Sequence, residues 1–237
     1  INPVFSEKVK GGLQSVFLIG CGTSYYAAMA GKYALGAFAG IPSIACPASE
    51  FRDFEIMRKG DIVVVVSQSG ETGDVLTAVK RALQNQCAVL AVTNEAKSTL
   101  AEICDKTILT KAGKELAVPM TKTYTSLLAA LFAMGATLGK KKQVITKLQD
   151  IPTIVNQVIQ TSEGKVRRLS EELKDEKRVF LLGRGPNYAT ALEASLKLKE
   201  AAMVHAEAFP SSEFRHGPKA LIENGTPVIA LTTAAEY

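Results

Sequence analysis

The stretch VVVVSQSGETGD, Val63 to Asp74, joins an unbroken apolar run to a cluster of small hydroxyls around one glycine. Four consecutive valines without polar alternation read as a strand buried on both faces, the kind found in a parallel sheet covered by helices. In such sheets ligands gather beyond the carboxyl ends of the strands, where a starting helix offers unpaired N–H groups and the positive end of its dipole. SQSGET stands at that place. Ser67, Ser69 and Thr72 supply hydroxyl donors, Gln68 supplies an amide, and Gly70 permits a tight turn and a close backbone approach. The loop GCGTS, with Cys21, Gly22, Thr23 and Ser24, follows the preceding buried strand in the same way. Two such loops together suit a phosphate monoester. The plainer alternative, in which Ser69 or Thr72 simply caps the next helix, accounts for one hydroxyl and not for the set. The loops fit neither a Walker pattern nor G-x-G-x-x-G.

The same rhythm of short β-branched runs and longer helical stretches extends along the chain: VFLIG 16–20, IVVVVS 62–67, AVLAVT 88–93, TILT 107–110, RVFLLG 178–183 and PVIALT 227–232. It predicts a doubly wound α/β fold. From Gly139 to Val179 the pattern turns charged and helical, which predicts a linker and a helix. The chain also repeats itself. VFLIGCGTSYYAA from Val16 matches VFLLGRGPNYATA from Val179 at an offset of 163, and the offset carries Pro47 onto Pro210 and SEFR 49–52 onto SEFR 212–215. The expected organisation is therefore a first unit over 1–140, a linker and helix over 141–177, and a second unit over 178–237.

The two copies differ where chemistry is at stake. At the same offset Glu193 faces Ala30, Lys197 faces Ala34, Glu200 faces Ala37 and His216 faces Asp53. SQSGET of the first copy falls, with one further position of offset, against LTTAAE 231–236 of the second. Glu193, Lys197 and Glu200 are spaced i, i+4, i+7 and share one helix face, with Lys199 pointing elsewhere. A solvated face with an ordinary Glu–Lys pair is the bland reading. Against it stands the position of the helix beside a glycine turn at a strand's carboxyl end, with His205 and His216 in the segment that follows. His216, before Gly217-Pro218, is favoured over His205 as the working histidine. The four cysteines form no C-x-x-C pair and read as reduced thiols; no cluster has metal-ligand spacing. A net charge of +5 without a basic, aromatic-laced stripe argues against nucleic acid and favours an anionic metabolite. Apolar stretches fall short of the roughly 20 residues of a membrane span, and the first residues lack a signal-peptide core. A cytoplasmic location is expected.

CGTSYYA, SQSGETGD, GKELAVPMTKTYTS, LGRGPNYATALEASLKLKE, HAEAF and EFRHGP together resemble the sugar-isomerase (SIS) family, in the branch that holds the isomerase halves of glucosamine-6-phosphate synthases and stand-alone deaminases. The resemblance implies tandem flavodoxin-like units, the second incomplete. It implies a hexose 6-phosphate or amino-hexose 6-phosphate ligand held by Cys21, Gly22, Thr23, Ser24, Ser67, Gln68, Ser69 and Thr72, with Val118 and Met120 near the sugar. It further implies that Glu200 moves a proton between C1 and C2, assisted by Lys197 and flanked by Glu193. His216 would reach in from a second subunit of a homodimer to open the ring, and neither cofactor nor metal is required.

Three departures from the family pattern are visible. No glutaminase segment accompanies this sequence, VPMTK stands where the synthases have Val-Ala-Ser-Thr-Lys, and the second copy ends after PVIALTTAAEY, before the family's C-terminal tail. These features favour a deaminase or isomerase over a glutamine-dependent synthase. A plain aldose–ketose isomerase, a fructosamine-6-phosphate deglycase and a non-catalytic phosphosugar sensor are the other readings.

Overall fold

A computed structural model describes residues 15–51, 53 and 57–233. The chain divides into two compact units, Ile1–Lys141 and Lys142–Tyr237. In the first, β1 (Val16–Gly20), β2 (Ser43–Pro47), β3 (Ile62–Ser67), β4 (Ala88–Thr93) and β5 (Lys106–Leu109) form one sheet in the order β2-β1-β3-β4-β5. Every pairing is parallel.

The lack of alternation in the strands follows from burial on both faces. Phe17, Ile19, Val63, Val65, Val89 and Ala91 face one core. It is closed by α2 (Ala48–Phe51), α3 (Gly73–Gln84) and α4 (Thr99–Ile103) through Phe51, Val75, Val79 and Leu100. Leu18, Ile62, Val64, Val66, Leu90 and Val92 face the other, closed by α1 (Thr23–Ala34) and α5 (Lys122–Leu138) through Ala27, Ala28, Leu127, Leu131 and Met134. Truncating any of the larger buried groups to alanine would cost about 2–5 kcal/mol. The chain runs from β1 out to the edge strand β2 and back to β3, so the gap between the carboxyl ends of β1 and β3 is the topological switch point.

The second unit holds α6 (Lys142–Leu173), β6 (Arg178–Gly183), α7 (Pro186–Ala202), β7 (His205–Pro210), two short 3-10 turns (Glu213–Arg215 and Pro218–Leu221) and β8 (Val228–Leu231). Its parallel sheet runs β7-β6-β8, the order of the first three strands of the other unit. Val179, Leu181, Ala191 and Ala206 form its small core, and Phe180, Phe209 and Phe214 stack as a ring cluster with centroids 5.3–6.2 Å apart.

The structure refines some of these expectations. The strands β2 and β7 are not legible in the sequence, because SIACP is short and ends in proline and HAEAFP alternates charged and apolar residues at a sheet edge. α6 begins at Lys142, three residues after α5's cap at Gly139, and fills most of the 141–177 segment expected to hold a linker and a helix. The offset of 163 holds through β2 and β7, where Val16 pairs Ser43 and Val179 pairs Ala206. It grows to 165 at the third strand, where Leu18 pairs Val64 and Leu181 pairs Ile229, so Ser67 lies against Thr232. The four cysteines are free thiols, and burial pushes Cys87 up to about 11 and Cys104 to about 12. Among the described residues no helix is long and apolar enough to cross a membrane.

Candidate functional site

At the switch point of the first unit the two loops meet. Thr23 and Ser24 are buried in the first turn of α1, behind Gly22. Burial, and then the nearby Asp74 carboxylate in the first turn of α3, raise the Cys21 thiol above its ordinary range. That electrostatic coupling ties GCGTS to SQSGETGD. In the second loop Ser67 is buried and its Oγ accepts the Gly70 N–H at 3.1 Å, while Ser69 Oγ accepts the Glu71 N–H at 3.2 Å. Each hydroxyl uses a lone pair and keeps its proton to donate. Thr72 occupies the N-cap of α3 but makes no side-chain cap bond. The capping alternative therefore fails for Thr72, and its hydroxyl is available beside the helix N-terminus.

The loop is clamped from behind. Gly70 has φ +66°, and a Cβ there would fall 2.2 Å from Ser98 Oγ, so both the turn and the close approach require glycine. Gly70 O accepts the Leu100 N–H at 3.1 Å, and Gln68 O accepts Asn94 N at 3.1 Å and the Thr93 hydroxyl at 3.2 Å. The Glu71 carboxylate accepts Thr99 N–H at 2.7 Å and Thr99 Oγ1–H at 2.8 Å, and those bonds hold its carboxyl below the usual range. A second carboxylate, Glu115, accepts Thr123 Oγ1–H at 2.7 Å, Thr121 N–H at 3.1 Å and Thr123 N–H at 3.2 Å, capping α5. The Thr123 hydroxyl, then the Thr121 amide, keep this carboxyl low as well. Glu115 fixes the loop carrying Val118 and Met120; Met120 packs against the core, while Val118 stands 87% exposed.

In the second unit, α7 brings three of the expected residues together. Lys197 Nζ lies 3.4 Å from Glu193 Oε1 and 2.5 Å from Glu200 Oε2. Glu193 is only 5% exposed, so the stripe is no solvated face. Ser195, one of the helix's buried residues, donates to Ala206 O at 2.7 Å and ties α7 to β7. A lysine between two carboxylates of unequal burial keeps the more open Glu200 oriented. His216 caps the turn Glu213–Arg215, exposed, with its N–H on Glu213 O at 2.9 Å. His205, exposed, begins β7. The trio and the phosphate loops belong to different units.

A model of the SIS domain matches residues 13–136 and 172–236. The chain belongs to the SIS domain family. It is 38% identical over 231 residues to a glutamine–fructose-6-phosphate aminotransferase of Caldanaerobacter subterraneus, covering 93% of this chain and 38% of that protein. A Legionella pneumophila protein of the same name is 41% identical over 224 residues, with 92% and 37% covered. The chain thus spans less than half the length of these relatives. Among solved structures, the C-terminal domain of the glucosamine-fructose-6-phosphate aminotransferase of Francisella tularensis superposes with a TM-score of 0.88 at 31% identity, over 97% of this chain and 67% of that one. The glucosamine-6-phosphate deaminase of Thermotoga maritima gives 0.79 at 25% identity, over 97% and 71%.

Sequence reasoning missed the SIS domain's supporting carboxylates. Glu71 and Glu115 lie inside motifs it quoted, but their partners stand 28 and 8 positions away. Only the acidic residue just before a threonine-rich helix start, in KELAVPMTKTYTS, signals a cap in the sequence itself.

Proposed function

We propose that this SIS chain serves an enzyme that converts glucosamine 6-phosphate and water to fructose 6-phosphate and ammonia, working as a cytoplasmic homodimer. The loops Cys21–Ser24 and Ser67–Thr72 hold the phosphate. His216, contributed by a second copy of the chain, opens the sugar ring. Glu200 then removes the proton from C2 of the open-chain amino sugar and returns it to C1; the resulting imine at C2 takes up water and releases ammonia. Lys197 orients the base, and buried Glu193 holds Lys197.

The observation that supports this most directly is the Glu193–Lys197–Glu200 network, with one carboxylate buried and the other open. A phosphosugar sensor has no use for it. The relatives named as aminotransferases and as a deaminase support the choice of substrate. Met120, drawn onto the core where the synthase pattern has a serine, favours a second reading in which the group at C2 is not an amine and the enzyme is an aldose–ketose isomerase. Incubating the full-length protein with glucosamine 6-phosphate decides between them. Ammonia and fructose 6-phosphate appearing in equal amounts is the expected result; turnover of glucose 6-phosphate without ammonia release would favour the second reading.

A further inference from the structure

The second unit repeats the first unit's loop geometry. Gly22 and Gly185, each the N-cap of the helix after the first strand, have φ, ψ of 51°, −126° and 56°, −129°. Beyond Gly185 the chemistry is different. A cavity of about 380 Å³ opens at the carboxyl ends of β6 and β8, lined by Arg184, Arg215, Ser211, Ser212 and Thr232 over a floor that includes Leu182 and Ala230. Because β6 and β8 occupy the places of β1 and β3 in the strand order, this is the second unit's own switch point. Where the first copy has Cys21, the second has Arg184. The rim is built firmly: Ser211 N–H donates to Gly183 O at 2.8 Å, and Phe214, beside Arg215, is buried in the ring cluster. Neither guanidinium forms an ion pair with a carboxylate among the described residues, and Glu213 on the same turn does not line the cavity.

Two guanidinium forks and three hydroxyls around one concavity match a tetrahedral oxyanion. We propose that the second unit carries its own binding site for a phosphate monoester, between Arg184 and Arg215. The space exceeds a bare phosphate and leaves room for an attached group of sugar size. An anion held by Arg215 also restrains its neighbour His216, so occupancy of this site adjusts the residue assigned to ring opening. The site rests on the cavity and its arginines, and stands whether or not the amino-sugar chemistry above is right.

Equilibrium dialysis of the full-length protein with radiolabelled inorganic phosphate tests it. The expected result is a binding event that Arg184→Ala weakens about ten- to hundredfold, that Arg184→Lys weakens less, and that Ser67→Ala/Thr72→Ala leaves unchanged. Arg184 is exposed, so its removal leaves the fold intact, which an unchanged melting curve verifies. Acetate in equal excess should not displace the phosphate. A protein whose phosphate binding disappears wholly with Ser67→Ala/Thr72→Ala and ignores Arg184→Ala has no such site. Binding lost only with Arg184→Ala would instead uphold this site and overturn the phosphate role of SQSGET.

Discussion

The two units use carboxylates in opposite ways. In the first, Glu71 and Glu115 accept bonds from backbone N–H groups and threonine hydroxyls at helix starts, which fastens the loops around the switch point. In the second, Glu193 and Glu200 share a lysine on one helix face. A carboxylate committed to two or three donors is a strut, whereas one that meets a single mobile cation at a half-open surface is able to exchange a proton. The same strand order thus carries carboxylate-fastened loops in one unit and a Glu–Lys–Glu helix face, the proposed acid–base group, in the other.

The largest expected effect breaks the comparison at Glu200. Glu200→Gln should lower turnover by about 10²–10⁴-fold while leaving sugar-phosphate affinity nearly unchanged, since the amide keeps the shape of the side chain. Solvent deuterium exchange at C1 or C2 of the bound sugar measures it directly. Exchange at the wild-type rate in the variant would move the proton transfer elsewhere. The reciprocal Ala37→Glu should create no exchange, because Ala37 lies in a π-helical turn, Leu35–Ala39, whereas Glu200 is in regular α-helix.

Next in size is the cradle. Ser67→Ala with Thr72→Ala removes two neutral donors to a charged group, at roughly 1.5–3 kcal/mol each, so calorimetry should show sugar-phosphate affinity falling at least tenfold per group. Here the division of labour predicts the converse of Glu200→Gln: a raised KM with kcat largely kept. Loss of kcat alone would erase the contrast between the units.

How far the sequence discloses all this depends on the range of the contacts involved. Buried parallel strands such as Val63–Ser67 announce themselves through unbroken valines, and the Glu193–Lys197–Glu200 stripe is visible because helix spacing is local. The edge strands Ser43–Pro47 and His205–Pro210 are not, because their identity comes from pairing with β1 and β6 and not from their own composition. The two-residue slip at the third strand is likewise a property of register, invisible to an ungapped match. Glu71 and Thr99 meet only because β3 and β4 are neighbours.

A smaller effect tests the helix ends. Gly40 and Met203, at equivalent positions, both close their helices in the left-handed region, at φ 66° and 55°. Met203 is 85% exposed, so its side chain contributes little packing to offset the strain. Met203→Gly should therefore stabilise the full-length protein by about 1 kcal/mol in denaturant unfolding. Gly40→Ala, whose Cβ would meet nothing within 4 Å, should destabilise it by a similar amount through the backbone alone. Effects of the same sign from both changes would mean that the two caps are not equivalent.

The smallest effect concerns the strut at Glu71. Its carboxyl is held low by the Thr99 N–H first and the Thr99 hydroxyl second, so the folded state binds a proton there less readily than the unfolded chain. The contribution of the tie is accordingly present above the unfolded glutamate pKa of roughly 4.3 and disappears as pH falls through the lower folded value. Glu71 is exposed, and solvent screening keeps the effect small. Sugar-phosphate affinity at neutral pH should fall by no more than about fivefold in Glu71→Gln, which keeps one acceptor and loses the charge. The sharper measurement is the Thr99 amide resonance followed through an acid titration. In the wild-type protein it should shift with a midpoint below the ordinary glutamate value, and in Glu71→Gln that step should vanish. A Thr99 amide that shifts identically in both proteins would mean that Glu71 does not hold α4, and the cradle would then depend on Gly70, Ser98 and Leu100 alone.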